Sequence, residues 1–300
     1  MQRITGLFIF VFLSGFLRKL NDKQLYQCPQ SNRELRMSEP VINFFHGGRM
    51  SLWTKVCILS FVRKGFRVQV WACEQLPPLP GVITRDARQL YPEDFRLQLT
   101  QRGRAGCWSS FSNFFRYKLL SMYPGQWYCD TDVFCLGTPD DYHELAHPHH
   151  LVACRESPSI INGAVLFNPD PALGQTLVAE AEEFGAFVNW TFEWGDMGPR
   201  FLTRFIARHQ PLVEILDREI FYPITPQAFA SLLLPEKRGS AEAACSHAKG
   251  LHYWNEIVKR KNIPTQLLPP EGSLLHSLFI NAFPELKNQP CMRLRSTVSV

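Results

Sequence analysis

Two strand-like runs joined by one helical segment set the fold class of this 300-residue chain. Residues 41–46 (VINFFH) form an uninterrupted, largely apolar run of strand length. Ser51 then stands where a helix N-cap is wanted. Leu52, Val56, Leu59 and Val62 recur at helical spacing up to Lys64, and Gly65 is placed to end the helix. In residues 66–72, Phe66, Val68, Val70 and Ala72 alternate with Arg67, Gln69 and Trp71, the period of a strand. Strand, helix, strand in so short a span is a βαβ unit, whose crossover helix requires the strands to be parallel. An α/β protein follows.

Pro77, Pro78 and Pro80 force a loop after the second strand. A helix beginning near Ser109 and Ser110 presents Phe111, Phe114, Phe115, Leu119 and Met122 to the core and ends at the YPGQ turn, residues 123–126. Residues 151–156 and 161–168 read as strands, residues 171–187 as a helix, and Pro199 as the first position of another. Neither repeat nor linker interrupts residues 41–265, which are expected to form one domain. Residues 1–40 and 266–300 are expected to flank it as an apolar extension and an amphipathic tail. In the tail, Leu274, Leu275, Leu278, Phe279 and Ala282 make a helical stripe that either packs on the domain or faces a membrane.

Composition narrows the functional classes. With 45% hydrophobic and 13% aromatic residues, the chain is not disordered. A net charge of +5 is too mild to argue for nucleic acid, although it suits phosphate ligands or peripheral contact with an anionic membrane. Nine cysteines without a C-x-x-C pair, with Cys57, Cys73 and Cys129 in apolar runs, read as buried reduced thiols of a cytoplasmic protein. His147, His149 and His150 lack finger-like spacing and read as a polar loop. The uncharged run between Arg3 and Arg18 is shorter than the about 20 residues of a membrane-spanning helix. No signal-cleavage site follows it. An interfacial anchor, a marginal signal-anchor and a mis-assigned start remain open. In a eukaryote the second would place the chain in the Golgi lumen as a type II membrane protein, where Asn189-Trp190-Thr191 is formally a glycosylation acceptor.

Asp130-Thr131-Asp132 carries the most chemistry. It directly follows an apolar strand, and ligands of open α/β sheets bind at the carboxyl ends of strands. Strand residues i and i+2 share a face, so two carboxylates converge there and repel unless a cation such as Mn²⁺ or Mg²⁺ joins them. An EF-hand fails, because Phe134, Cys135 and Asp141 occupy its fifth, sixth and twelfth positions. A haloacid-dehalogenase-type phosphatase with Asp130 as nucleophile remains, as does a D-x-D glycosyltransferase, or a binding protein that keeps such a fold without catalysis. Asn113 and Arg116, three apart, share one helix face that leads into the turn before the aspartates.

The surrounding blocks resemble the family 32 glycosyltransferases, whose pattern is roughly S-D-x-x-R-Y-x-x-L followed by G-G-x-Y-x-D-T-D. Here Ser112, Asn113, Arg116, Tyr117 and Leu120 precede Gly125, Gln126, Tyr128, Asp130, Thr131 and Asp132. NGAVLFNP (162–169), WGDMGPRFLT (194–203), FYPI (221–224) and HYWN (252–255) follow in the family's order, and FFHGG (44–48) resembles its opening strand. The resemblance covers about residues 41–260. It implies a single GT-A, Rossmann-like domain with a mixed, mainly parallel sheet flanked by helices. It also implies a retaining, metal-dependent hexosyltransferase of polysaccharide biosynthesis, taking a nucleotide-sugar (a UDP-sugar is favoured) to a glycan or glycolipid acceptor. By this resemblance Asp130, Asp132 and His252 hold Mn²⁺ or Mg²⁺. His46, Asn113, Arg116, Tyr117, Asn162, Gly163 and Trp254 bind the donor. Asp196 is a third catalytic carboxylate facing sugar or acceptor, unless it merely caps the turn before Pro199. For Trp254 the competing role is core packing, and Asn162-Gly163 is also a favoured hairpin turn. Position 113 is usually acidic in the family, so Asn113 keeps the hydrogen bonds but drops the charge.

Overall fold

The computed structural model describes residues 39–293, so the run between Arg3 and Arg18 lies outside the described residues. In chain order the elements are β1 (Val41–Phe45), α1 (Leu52–Lys64), β2 (Arg67–Ala72), β3 (Val82–Asp86), α2 (Glu93–Gln98), β4 (Thr100–Gln101), β5 (Arg104–Ala105), α3 (Trp108–Met122), β6 (Gln126–Cys129) and β7 (Val133–Cys135). They continue with α4 (Pro139–Leu145), β8 (Leu151–Ser157), β9 (Ile160–Asn168), α5 (Pro171–Phe187), β10 (Thr191–Phe192), α6 (Phe201–Arg208) and β11 (Val213–Leu216). The last are α7 (Arg238–Ala244), β12 (Gly250–His252), α8 (Asn255–Arg260) and α9 (Leu274–Ala282). A 7-stranded sheet of order β11-β8-β9-β6-β1-β2-β3 forms the centre. Its pairs β1·β2, β2·β3, β1·β6 and β8·β11 are parallel, and β9 runs antiparallel to both β6 and β8. The chain is therefore a mixed, mainly parallel α/β protein.

The opening βαβ unit forms for the reasons the sequence states. Ser51 Oγ accepts from the Thr54 amide at 3.1 Å. Gly65 takes a left-handed φ of 92°, which only glycine adopts without strain, and closes α1 on the carbonyls of Phe61 and Val62. The alternation in β2 does not expose one face, however: Gln69 and Trp71 are buried too. Both faces of a parallel sheet are covered, and the polar atoms are paired within it. Trp71 Nε1 donates to Asn43 Oδ1 at 2.9 Å, and Gln69 Oε1 accepts from Arg85 at 2.7 Å.

Two hydrophobic layers sandwich the sheet. One holds α1 residues such as Trp53 and Phe61, the other α3 residues such as Phe111, Phe114 and Phe115. α3 packs on α5 closely enough that a Cβ at Gly174 would stand 2.8 Å from Ser121 Cα. Met122, expected on the core side of α3, is 55% exposed, because the helix ends there and the chain turns away at Tyr123. Within the C-terminal segment, α9 packs on the core rather than facing outward. Phe279 stacks on Phe134 and meets Trp53 edge-on, with centroids 5.9 and 6.0 Å apart. Among the described residues no helix is long and apolar enough to cross a membrane.

Cys57, Cys73, Cys129, Cys135 and Cys154 are buried and unpaired among the described residues, and burial pushes the Cys73 thiol up to about 11. His147 Nδ1 accepts from the amides of His149 and His150, so that segment is a self-closed polar loop.

Candidate active site

β6 ends at the centre of the sheet, and the chain turns sharply there. The Asp130 amide donates to Ala164 O at 2.7 Å on β9, and the Val133 amide closes the turn on Asp130 O at 3.1 Å. The two aspartates thus sit in a turn rather than on the strand itself, yet their carboxylates still converge. β7 then leaves the central sheet and pairs antiparallel with β12, in a register that sets His252 opposite Val133. This pairing brings a residue about 120 positions away onto the aspartates, with Asp132 Oδ2 at 3.0 Å from His252 Nε2. The same oxygen accepts the Asn255 amide at 2.8 Å. Asp130, Asp132 and His252 each offer a ligand atom within 4.8 Å of the others.

Each charge in this group has an identifiable cause. Burial drives the Asp130 carboxyl upward, Asp132 adds to the rise, and Arg116 and His252 only partly offset it. Burial opposes ionisation of Asp132 as well, but His252, by charge and hydrogen bond, and the Asn255 amide hold that carboxyl below its usual range. Burial works against the His252 imidazolium, but Asp132 and, more weakly, Asp130 and Glu156 raise it. His252 Nδ1 is buried without a hydrogen-bond partner among the described residues. Two carboxylates and an imidazole gathered this tightly are a suitable donor set for Mn²⁺ or Mg²⁺, which relieves the repulsion between the aspartates.

Arg116 organises the neighbouring wall. Its guanidinium donates to Asp130 Oδ1 at 3.0 Å, to Gly163 O and to Ser112 O, and lies over the Tyr128 ring. A Cβ at position 163 would stand 3.1 Å from Arg116 Nη1, so glycine there admits the arginine. Burial disfavours the guanidinium charge, but Asp130, together with Tyr128, Tyr117 and Tyr222, outweighs it, and Arg116 stays charged. Asn113 lies on the same face of α3, as its spacing requires, and both line a cleft of about 400 Å³.

The remaining sequence candidates divide. Asn162 and Gly163 line the cleft, but on β9, beside a β-bulge against β8, and not in a hairpin turn. Asn162 Oδ1 accepts from the Ala164 amide at 2.7 Å, and its Nδ2 donates to Glu156 Oε2 at 2.6 Å. His46 lines the cleft with its Nε2 at 3.0 Å from Gly48 O, and burial lowers its pKa. Trp254 also lines the cleft, yet its indole N–H is bonded to Ile224 O at 2.8 Å and its ring packs edge-on against His252. It is core on one side and cleft wall on the other.

Tyr117 and Asp196 do not reach the cleft. The Tyr117 hydroxyl, 1% exposed with its residue, donates to Met197 O at 2.8 Å and fixes the 196–200 turn from behind. Asp196 accepts from the Glu193 amide at 2.8 Å and from Arg200 at 2.9 Å, which makes it the turn-forming residue. Pro199 falls within this wide π-type turn, ahead of α6. Sequence reasoning passed over Tyr128, whose hydroxyl donates to Asp130 Oδ1 at 2.8 Å; the two-residue period of β6 was its signal. Glu156, Trp108 and Trp194, which also line the cleft, carried no comparable signal.

No family profile matches the chain, and no curated protein sequence matches it. Among solved structures, the bifunctional glycosyltransferase WbbM in its apo form is similar with a TM-score of 0.45 and 14% identity over 87% of this chain. The chain spans about half the length of WbbM, covering 51% of it. The apo form of the glycosyltransferase GlyE of Streptococcus pneumoniae TIGR4 is similar with a TM-score of 0.42 and 12% identity, over 84% of this chain and 64% of that one. The PaToxG glycosyltransferase gives 0.41 and 11%, over 83% and 86%.

Proposed function

We propose that this protein is a metal-dependent glycosyltransferase that moves a hexose, with retention, from a nucleotide-sugar to a glycan or glycolipid hydroxyl. A UDP-sugar is the favoured donor. The observation that carries this reading is the convergence of Asp130, Asp132 and His252 on the floor of a cleft whose wall is Arg116 and Asn113. The order of the sequence blocks around these residues points the same way.

In this reading Asp130, Asp132 and His252 hold Mn²⁺ or Mg²⁺, which when bound supplies Lewis acidity to the departing diphosphate. Arg116 is fixed by Asp130 and by the backbone of Gly163, so its donors are pre-oriented and need no reorganisation on binding. Asn113 presents an amide that both donates to and accepts from sugar hydroxyls. Together they position the donor for attack by the acceptor. Asp196 is engaged in its own turn, and among the described residues no other nucleophile–base pair accompanies these. A front-face displacement fits, in which the acceptor's proton passes to the leaving phosphate. Asp130 is poorly placed as a phosphatase nucleophile, because Oδ1 carries two hydrogen bonds and burial disfavours its charge.

Titration calorimetry of UDP and GDP with and without Mn²⁺ tests the binding half of this reading. One nucleotide is expected to bind the wild type with Mn²⁺ and to lose at least about tenfold in affinity with chelator or in Asp132→Ala. Binding that ignores both metal and substitution contradicts it.

A further inference from the structure

With Asp196 committed to its own turn, the cleft needs a different group to face the transferred sugar. Glu156 is a carboxylate that lines it at the end of β8, where the bulge against β9 turns the strand. One of its oxygens, Oε2, is fixed by Asn162 Nδ2 at 2.6 Å, while Oε1 has no hydrogen-bond partner among the described residues. Asn162 is locked in turn by the Ala164 amide, so Glu156 is held rather than loose. Gly163, next to Asn162, takes the backbone bond from Arg116, which also holds Asp130. Glu156 therefore stands one link from the residues assigned to the donor.

Part of the cleft lining carries no side chains. Gly163, Gly195 and Gly198 all line the cleft. A Cβ at 163 would press on Arg116 at 3.1 Å, and one at 198 on Asn113 Oδ1 at 3.3 Å. Trp194, 39% exposed, stands at the edge. A glycine-rich lining that also presents the Asn113 amide, the Glu156 carboxylate and the Trp194 indole suits a hydroxylated pyranose ring. Sugar O–H groups donate to a carboxylate, and an indole covers the apolar face of a ring.

Building on the glycosyltransferase reading, we propose that Glu156, positioned by Asn162, is the specificity-determining residue that accepts hydrogen bonds from hydroxyls of the transferred hexose. It contributes to recognition of the sugar and not of the nucleotide diphosphate.

The test measures, with Mn²⁺, the affinities of UDP-glucose, UDP-galactose, UDP-N-acetylglucosamine and GDP-mannose against UDP and GDP as references. Glu156→Gln preserves size and removes the charge, while Glu156→Ala removes the group. For the sugar that the wild type binds best, both variants are expected to lose about tenfold or more in affinity while the bare nucleotide binds unchanged. Equal losses for nucleotide and nucleotide-sugar would assign Glu156 to the diphosphate site and overturn the proposal, as would no loss for either. A wild type that binds neither UDP nor GDP fails the glycosyltransferase reading itself, which is a separate outcome.

Discussion

At the scale of single residues, the site depends on charges held where water is scarce. Arg116 is 6% exposed in its side chain and answers Asp130, which is 25% exposed toward the cleft. A lysine at position 116 keeps the charge but not the planar fork that reaches Asp130 and Gly163 O together. Arg116→Lys is therefore expected to lower donor turnover by about a hundredfold. Its melting temperature should move far less than that of Arg116→Met, which leaves Asp130 without its counter-charge. Steady-state kinetics and thermal melts of the two variants check this; equal turnover in wild type and Arg116→Lys contradicts it. Residue types were legible in the sequence wherever local period fixed their direction, as for Asn113 with Arg116. They were not legible where a side chain chose between the cleft and its own backbone. Tyr117 took the buried Met197 carbonyl, which must be paired, and Asp196 took an exposed amide of its own turn.

At the scale of elements, capping and strand pairing set what the sequence reveals. The N-cap of α1 and its glycine stop are local signals, and both form as read. β3 gave no signal, since its edge position leaves Ile83, Thr84 and Arg85 exposed and erases the apolar alternation. The β7·β12 pairing that delivers His252 is long-range, and nothing near Val133 announces it. α4 offers a test of local electrostatics. Thr138 and Asp141 form a reciprocal capping box, and Lys249 approaches the Asp141 carboxylate at 2.6 Å. Burial opposes ionisation of Asp141 and is the largest single influence, but the bonds from Lys249 and Thr138 together outweigh it and depress its pKa. A depressed carboxyl contributes stability above its unfolded value of about 3.9, and that contribution fades as pH falls through the lower folded value. Asp141→Asn is therefore expected to unfold at lower urea than wild type near pH 6. The gap should close in strong acid, below the depressed value. A gap that stays constant from neutral pH into strong acid would contradict this linkage.

At the scale of the whole molecule, segments far apart in sequence meet in one cleft. Asn113 and Arg116 from α3, Asp130, Thr131 and Asp132 after β6, Glu156, Asn162 and Gly163 from β8 and β9, and His252 and Trp254 at and just after the end of β12 all line it. The order of the blocks was legible, and so was the expectation that they serve one site. Their distances were not, because those depend on the bulge in β9 and on the excursion of β7 from the central sheet. The C-terminal segment contributes from behind: Trp53 at the start of α1 donates its indole N–H to Leu267 O at 2.7 Å and packs against Tyr253 beside His252. The measurement that bears most directly on the central claim is hydrolysis and transfer from the UDP- and GDP-sugar panel with Mn²⁺, comparing wild type with Asp132→Ala. Release of nucleoside diphosphate from one donor by the wild type, abolished by chelator and in Asp132→Ala, is the predicted result. Turnover that is unaffected by the substitution, or nucleotide binding without any turnover, would contradict a metal-dependent glycosyltransferase.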